Sequence, residues 1–254
     1  MQPYKPVCMK HNPHIQTDDT FLKVGNIARV DTFRHHRTGI MEAILAEGKE
    51  TDAVMHIAQA QCNASGRVLI TRLSDELIEK FTQTYPKERL IFSQFKRTLV
   101  LTDGATQKPS TGGRVAILTA GTADINVAEE AKMTAEELGC QALAIYDIGV
   151  AGISRLFSEV DRVKTNNPDV IIVAAGREGT LPTVVSGLFD VPVIAVPVST
   201  GYGAGGGGKA ALLSMLQSCS PLCVVNIDAG FIAGALAAQI ANNVAAARNQ
   251  KSDT

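Results

Sequence analysis

Apolar runs without alternation recur through the second half of the chain: VAILTA (115–120), ALAIYD (142–147), VIIVAA (170–175), VPVIAVPV (191–198) and CVVNID (223–228). Runs of this kind suit strands buried on both faces. Between them lie stretches with helical spacing, at 123–139, 151–166, 180–189, 209–218 and 230–250. Five β-α units in series imply parallel strands with right-handed crossovers, hence a three-layer, doubly wound α/β sandwich. Ligands in such sheets sit beyond the carboxyl ends of the strands. The loops to read for chemistry are therefore AGTAD (120–124), YDIGVAG (146–152), AAGREGT (174–180) and STGYGAGGGG (199–208).

The first half is less regular. RTGIMEAILAEG (37–48) has helical spacing, and ETDAVMHIAQAQCNASG (50–66) offers Thr51 as an N-cap and Gly66 as a C-terminal stop. RVLITRLS (67–74) predicts a strand, and DELIEKFTQTYP (75–86) a helix ended by Pro86. RLIFSQFKRTLVLT (89–102) predicts one or two strands. The expected organisation is an irregular arm over 1–20, a small α/β domain over 21–102, a linker over 103–113 and a larger α/β domain over 114–250. The linker is rich in Gly, Pro, Ser and Thr and has no apolar period.

Composition narrows the function classes. The 254 residues are 45% hydrophobic with a formal net charge of −1 and no Trp. Such a balance gives no footing for a nucleic-acid partner. The first residues contain no apolar signal-peptide core, and no charge-free apolar run long enough to span a bilayer is expected. Five scattered cysteines, Cys8, Cys62, Cys140, Cys219 and Cys223, lack metal spacing and fit reduced thiols in the cytoplasm, most of them as core fillers. The five histidines, His11, His14, His35, His36 and His56, show no paired metal-ligand spacing either.

Gly203 to Lys209 matches most of a phosphate-binding P-loop, but the next residue is Ala210, where the motif needs a hydroxyl for magnesium. The run also follows the fourth strand of its domain rather than the first. Gly201, Gly203 and Gly206 fit a dinucleotide fingerprint formally, yet a run this rich in glycine satisfies almost any glycine motif. What the glycines do permit is close backbone approach and left-handed turns; a mobile surface loop would use them equally.

Asp147 closes the second strand of the larger domain and Glu178 lies just past the third, so both face the expected crevice as a general base or substrate clamp. Each equally suits helix capping: Glu178 at Thr180–Pro182, Asp147 on the amides of Gly149 and Val150. Asp124 and Asp228 divide the same way. Arg155 suits a phosphate clamp or a solvated helix face.

Taken together, VAILTAGTADINVAEEAKMTAEELG, IYDIGVAGISRL, AAGREGTLPTVVSGLFDVPVIAVPVSTGYGAG and ALLSMLQSCSP with VVNIDAGFIAGALAAQI resemble the LarB family, the pyridinium bis-carboxylic acid mononucleotide synthases of nickel-pincer cofactor biosynthesis. Their C-terminal half is similar to the PurE aminoimidazole ribonucleotide carboxylases. VDTFRHHRTGIMEAILAEGK resembles the LarB-specific N-terminal segment, and the resemblance covers about residues 25–243. It implies a PurE-like, flavodoxin-like fold and a reaction in which nicotinate adenine dinucleotide is carboxylated at pyridinium C5 and its phosphoanhydride is hydrolysed to release AMP. The implied co-substrate is CO2 or bicarbonate, with Mg2+ and no organic cofactor; the implied assembly is a homo-oligomer, with a PurE-like octamer as the form the resemblance suggests.

The resemblance makes Cys219 the nucleophile and matches Glu178 and Asp147 to the family's loop carboxylates. Substrate-binding residues are then expected at Gly121, Thr122, Asp124, Gly149, Arg155, Gly176, Gly201, Gly203, Asn226 and Asp228. Departures from the family pattern are Ala123 and Asn126 in GTADINV, Ser154 where a histidine is expected, and Ala229 and Ile232 in DAGFIAG. A PurE-type carboxylase or mutase, or a nucleotide-binding module without catalysis, are the competing readings. PurE's proton-handling histidine has no counterpart at YDIGVAG. Because Cys219 follows a helix and precedes a strand, it belongs near the amino edge of the sheet, opposite both carboxylates. A site shared with a neighbouring subunit, or a local bend, would be needed to join them.

Overall fold

The computed structural model describes residues 15–18 and 21–252, divided between two units, Met1–Gln107 and Lys108–Thr254. Cys8, His11 and His14 lie outside the described residues.

In the first unit, β1 (Ile15–Asp18), β2 (Phe21–Val24) and β3 (Ala28–Val30) form an antiparallel meander, so part of the arm expected as irregular is a strand. The helix expected over 37–48 does not form. Helix α1 (Arg34–Thr38) stops where Gly39 adopts φ +72°, and β4 (Ile44–Leu45) instead pairs in parallel as an edge strand. Burial there alternates as in a strand, with Ile44 and Ala46 buried and Leu45 between them exposed. Helix α2 (Thr51–Ser65) begins one residue earlier than expected, with Glu50 as its cap, and ends at Gly66 with φ +77°. After β5 (Arg67–Thr71), Ser74 caps α3 (Asp75–Thr84) by accepting a bond from the Leu77 N–H at 3.2 Å. Two strands follow, β6 (Leu90–Phe92) and β7 (Thr98–Thr102), giving a mixed sheet in the order β4-β5-β7-β6. Helix α2 packs between the meander and this sheet, closing a core around Leu22, Val54, Ile70, Phe81 and Leu99.

The second unit carries β8 (Arg114–Thr119), α4 (Ile125–Glu137), β9 (Gln141–Ile145), α5 (Ile153–Asn166), β10 (Val170–Ala175), α6 (Leu181–Ser186), β11 (Val193–Pro197), α7 (Lys209–Leu216), β12 (Cys223–Val224) and α8 (Gly230–Ser252). All five strands are parallel, in the order β12-β11-β10-β8-β9. Numbered within the unit this is 5-4-3-1-2, the flavodoxin-like order, and it reverses between β8 and β10. Every residue of β10 and β11 is buried, as their unbroken apolar runs require. Ala116, Leu118, Ile171, Val173 and Ala195 turn one face of the sheet toward Leu156, Leu181, Val185 and Met215 of α5, α6 and α7. Helices α4 and α8 cover the other face.

Helix α8 corrects the expectation that no apolar run reaches membrane length: Gly230–Gln250 is long and apolar enough by length and composition, at mean hydropathy 1.3. Its alanines at 233, 237, 241 and 245 are buried along one stripe. At Gly230 and Gly234 an added Cβ would lie 2.4 Å from the Val127 carbonyl and 2.3 Å from that of Ala131. Small residues therefore let α8 lie directly on α4.

Candidate active site

The reversal of strand order opens a crevice at the carboxyl ends of β8 and β10, and Asp124 lies at its root. The chain leaves β8 through Ala120 and Gly121, then turns through a single 3₁₀ turn, Thr122–Asp124, into α4. Only 4% of Asp124 is exposed. Its Oδ2 accepts the Gly121 N–H at 2.8 Å, and its Oδ1 accepts the Gly176 N–H at 3.2 Å and the Thr200 hydroxyl at 3.3 Å. One carboxylate thus joins the loops after β8, β10 and β11. Burial pushes its pKa up, and the nearby charge of Asp228 adds to this; the three donors pull the other way. Asp124 was expected among the substrate contacts, and its oxygens are engaged by the loops themselves. Thr122, beside it, is exposed.

Glycine makes these loops fit together. A Cβ at Gly149 would stand 2.6 Å from the Ala120 carbonyl, and one at Gly176 would stand 2.9 Å from the Thr200 hydroxyl. At Gly201 it would lie 3.3 Å from the Arg177 nitrogen, so the loops after β10 and β11 touch. The glycine run continues in the same manner. Gly208, at φ +79°, lies against Ile227, and Gly206 donates to the Gly203 carbonyl at 3.0 Å.

Three residues in the left-handed region sit at strand ends on this edge: Asp147 (φ +59°), Arg177 (φ +53°) and Asp228 (φ +55°). Asp tolerates that conformation readily; Arg does so at a cost, and such strain gathers at functional sites. Asp147 does not cap the amides of Gly149 and Val150. Its Oδ2 accepts from Arg155 at 2.6 Å, while its backbone N–H donates to the Thr119 hydroxyl at 3.0 Å. The side chains of this ion pair are 45% and 46% exposed, so the pair adds on the order of 0–1 kcal/mol to stability. Arg155 is therefore neither a bare helix face nor a free clamp. Glu178 is exposed and forms no hydrogen bond or ion pair among the described residues. Asp228 accepts the Ser199 N–H at 2.9 Å, and Asn226 accepts the N–H of Ile227 at 2.8 Å; both brace the edge after β12.

Cys219 stands apart from this cluster. It lies in the turn between α7 and β12, on the amino side of a strand that runs parallel to β11. Asp147 and Glu178 lie on the carboxyl side. A strand of five residues spans roughly 16 Å, so the thiol and the carboxylates occupy opposite edges of one sheet. Hydrogen bonds fasten the turn to α6, from the Thr183 hydroxyl to the Ser218 hydroxyl at 2.9 Å and from the Ser186 hydroxyl to the Pro221 carbonyl at 3.1 Å. Cys219 and Cys223 are exposed, whereas Cys62 and Cys140 are buried, so only two of the four described thiols are core fillers. Burial pushes the Cys140 thiol up to about 11 and leaves it inert.

Residues 114–253 match the model of the AIR carboxylase family, and residues 21–103 match that of the LarB/PurE-like N-terminal domain. The chain belongs to the LarB/PurE-like carboxylase family. An uncharacterized protein of Methanocaldococcus jannaschii is 42% identical over 219 residues, which cover 84% of this chain and 83% of that protein. A protein named a probable N5-carboxyaminoimidazole ribonucleotide mutase, from Methanothermobacter thermautotrophicus, is 34% identical over 137 residues, 50% of this chain and 37% of that one.

For a LarB/PurE-like protein, the carboxyl edge holds two groups that sequence reasoning passed over. The Arg177 guanidinium lies over the ring of Tyr202, 4.2 Å from its centroid, and Tyr202 is 76% exposed. The signal was present in the sequence, since Arg177 lies in AAGREGT and Tyr202 in STGYGAGGGG, but nothing in the spacing of two separate loops pairs a cation with a ring. Among the described residues no three His, Cys, Asp or Glu side chains converge on a common point as a metal set.

Proposed function

We propose that this protein carboxylates the pyridinium ring of nicotinate adenine dinucleotide at C5 and hydrolyses its phosphoanhydride, giving the pyridinium-3,5-biscarboxylate mononucleotide and AMP. CO2 is an electrophile, and a pyridinium cation is too electron-poor to attack it. The Cys219 thiolate adds to a ring carbon beside C5, forming a C–S bond and moving a ring electron pair so that C5 becomes the nucleophilic carbon of an enamine. C5 then forms the C–C bond to CO2. A carboxylate base takes the C5 proton, the C–H electrons re-form the aromatic ring, and the C–S bond breaks to return the thiolate. Thiolates suit both halves because they are soft nucleophiles and fair leaving groups.

The observation that carries this reading is the pair of exposed, unengaged groups the reaction requires: the Cys219 thiol and the Glu178 carboxylate. The match of the first unit to the LarB/PurE-like N-terminal domain supports it over a plain PurE reaction. Glu178 is the better base, because the Asp147 carboxylate is already engaged by Arg155 whereas that of Glu178 is open to a substrate. Since one chain holds thiol and carboxylate at opposite edges, the site joins Cys219 of one protomer to Glu178 of another in a homo-oligomer. A second reading, a PurE-type mutase acting on an aminoimidazole ribonucleotide, is favoured by the match of residues 114–253 to the AIR carboxylase family and by the similarity to the named mutase.

The test is mass spectrometry after incubation with nicotinate adenine dinucleotide, bicarbonate and Mg2+. AMP and a mononucleotide heavier by one carboxylate are expected. Conversion of an aminoimidazole ribonucleotide, with the dinucleotide left untouched, overturns the proposal.

A further inference from the structure

Arg177 and Tyr202 remain without a role in that chemistry. Both are exposed, and neither side chain makes a hydrogen bond or ion pair with another described residue; they hold only each other. An exposed contact of this type is weak, so a ligand opens it at little cost. Its alignment is nevertheless built in. Arg177 is held in the left-handed region, and Gly201, the residue before Tyr202, brings the second loop against the Arg177 backbone. The next residue after Arg177 is Glu178.

A guanidinium is a flat, delocalised cation, and so is a pyridinium ring. Resting on the reading that the substrate is a nicotinate dinucleotide, we propose that Tyr202 offers its ring face to the pyridinium and that Arg177, leaving that face, pairs with the ring's carboxylate. Two cations in contact on one ring repel, so the arriving pyridinium moves the guanidinium. The nicotinate carboxylate gives the guanidinium a bidentate partner of matching geometry. Arg177 and Tyr202 act as positioning residues: together they select the acid form of the ring over the amide and set its C5 edge toward Glu178.

The full-length protein is titrated calorimetrically, without bicarbonate, with nicotinate adenine dinucleotide and separately with nicotinamide adenine dinucleotide. The two share a cationic ring and differ in carboxylate against carboxamide. The wild-type protein is expected to prefer the acid. Arg177→Gln should weaken acid binding by roughly 10- to 100-fold and leave amide binding within about threefold. Arg177→Lys should recover part of the preference, and Tyr202→Leu should weaken both ligands by roughly 5- to 30-fold while Tyr202→Phe keeps both. Melting curves matching the wild type exclude misfolding as the cause. The assignment is overturned if Arg177→Gln weakens both ligands equally or neither, or if Tyr202→Leu changes neither. If the wild-type protein turns over the dinucleotide but the variants retain its selectivity, only this pair is wrong. A wild-type protein that neither binds nor converts the dinucleotide overturns the functional reading itself.

Discussion

The carboxylate of Asp124 accepts the backbone N–H of Gly176 at 3.2 Å, across fifty-two residues of chain. The same oxygen accepts the Thr200 hydroxyl, and its twin accepts the Gly121 N–H. Three loops that would otherwise move independently are thereby fixed at the point where the strand order reverses. Their registration depends on one buried acid.

Asp124 should therefore leave a pH signature. Burial raises its pKa, so the folded chain holds this proton more tightly than the unfolded chain does. Its contribution to stability is largest at low pH and falls as pH rises from about 3.9, the ordinary aspartate value, through the higher folded value. Denaturant titrations of the wild type and Asp124→Asn, at pH steps upward from 4, should show the stability difference declining and then levelling. Asp124→Ala should cost about 1–3 kcal/mol near pH 4, because three donors lose their acceptor. A difference that grows with pH would mean a depressed pKa instead.

Cys219→Ala should abolish AMP release and carboxylation, whereas Cys223→Ala, at the exposed start of β12 just past the turn, should retain both. Liquid chromatography with mass detection reads the two products together. Equal loss in both variants would point to damage of the turn, not to a missing nucleophile.

Glu178→Gln should lower kcat by about 10²- to 10⁴-fold, the range for loss of a general base, and Asp147→Asn by much less. If the site joins two protomers, dissociating and mixing the inactive Cys219→Ala and Glu178→Gln proteins should restore part of the activity. No recovery from mixed oligomers of verified composition would place both groups in one subunit.

Gly149→Ala should be more damaging than its size suggests. Its Cβ would meet the Ala120 carbonyl at 2.6 Å, and main chain does not yield as a flexible side chain would. A loss of about 1–3 kcal/mol is expected from thermal melts, together with a raised KM because the first two loops are displaced. Arg155→Ala, removing only an exposed ion pair, should change stability by less than about 1 kcal/mol.

Some features were legible because they depend on neighbours along the chain. Gly66 was read as a helix stop, and it is one, since a left-handed residue with no Cβ is a local requirement. The segment over 37–48 misled for the same reason: Ile40, Ile44 and Leu45 satisfy a helical period, but Gly39 ends α1 and pairing with β5 decides the conformation of Ile44 and Leu45. Helix α8 reads weakly as an apolar run because many of its residues are small, eight of the 23 being alanine, and its fit to α4 relies on that smallness.

The sequence by itself determined the succession of β-α units, the parallel sheet they imply, and the loops that gather at its carboxyl edge, since burial on two faces is written in unbroken apolar runs. Tertiary structure alone decided that Asp124 serves three loops, that Asp147 is held by Arg155, that Glu178 is left open, and that Arg177 lies on Tyr202. Periodicity reports only which face of an element is buried. The partner of a polar side chain is set by which strands become neighbours, and that order follows from packing the whole sheet.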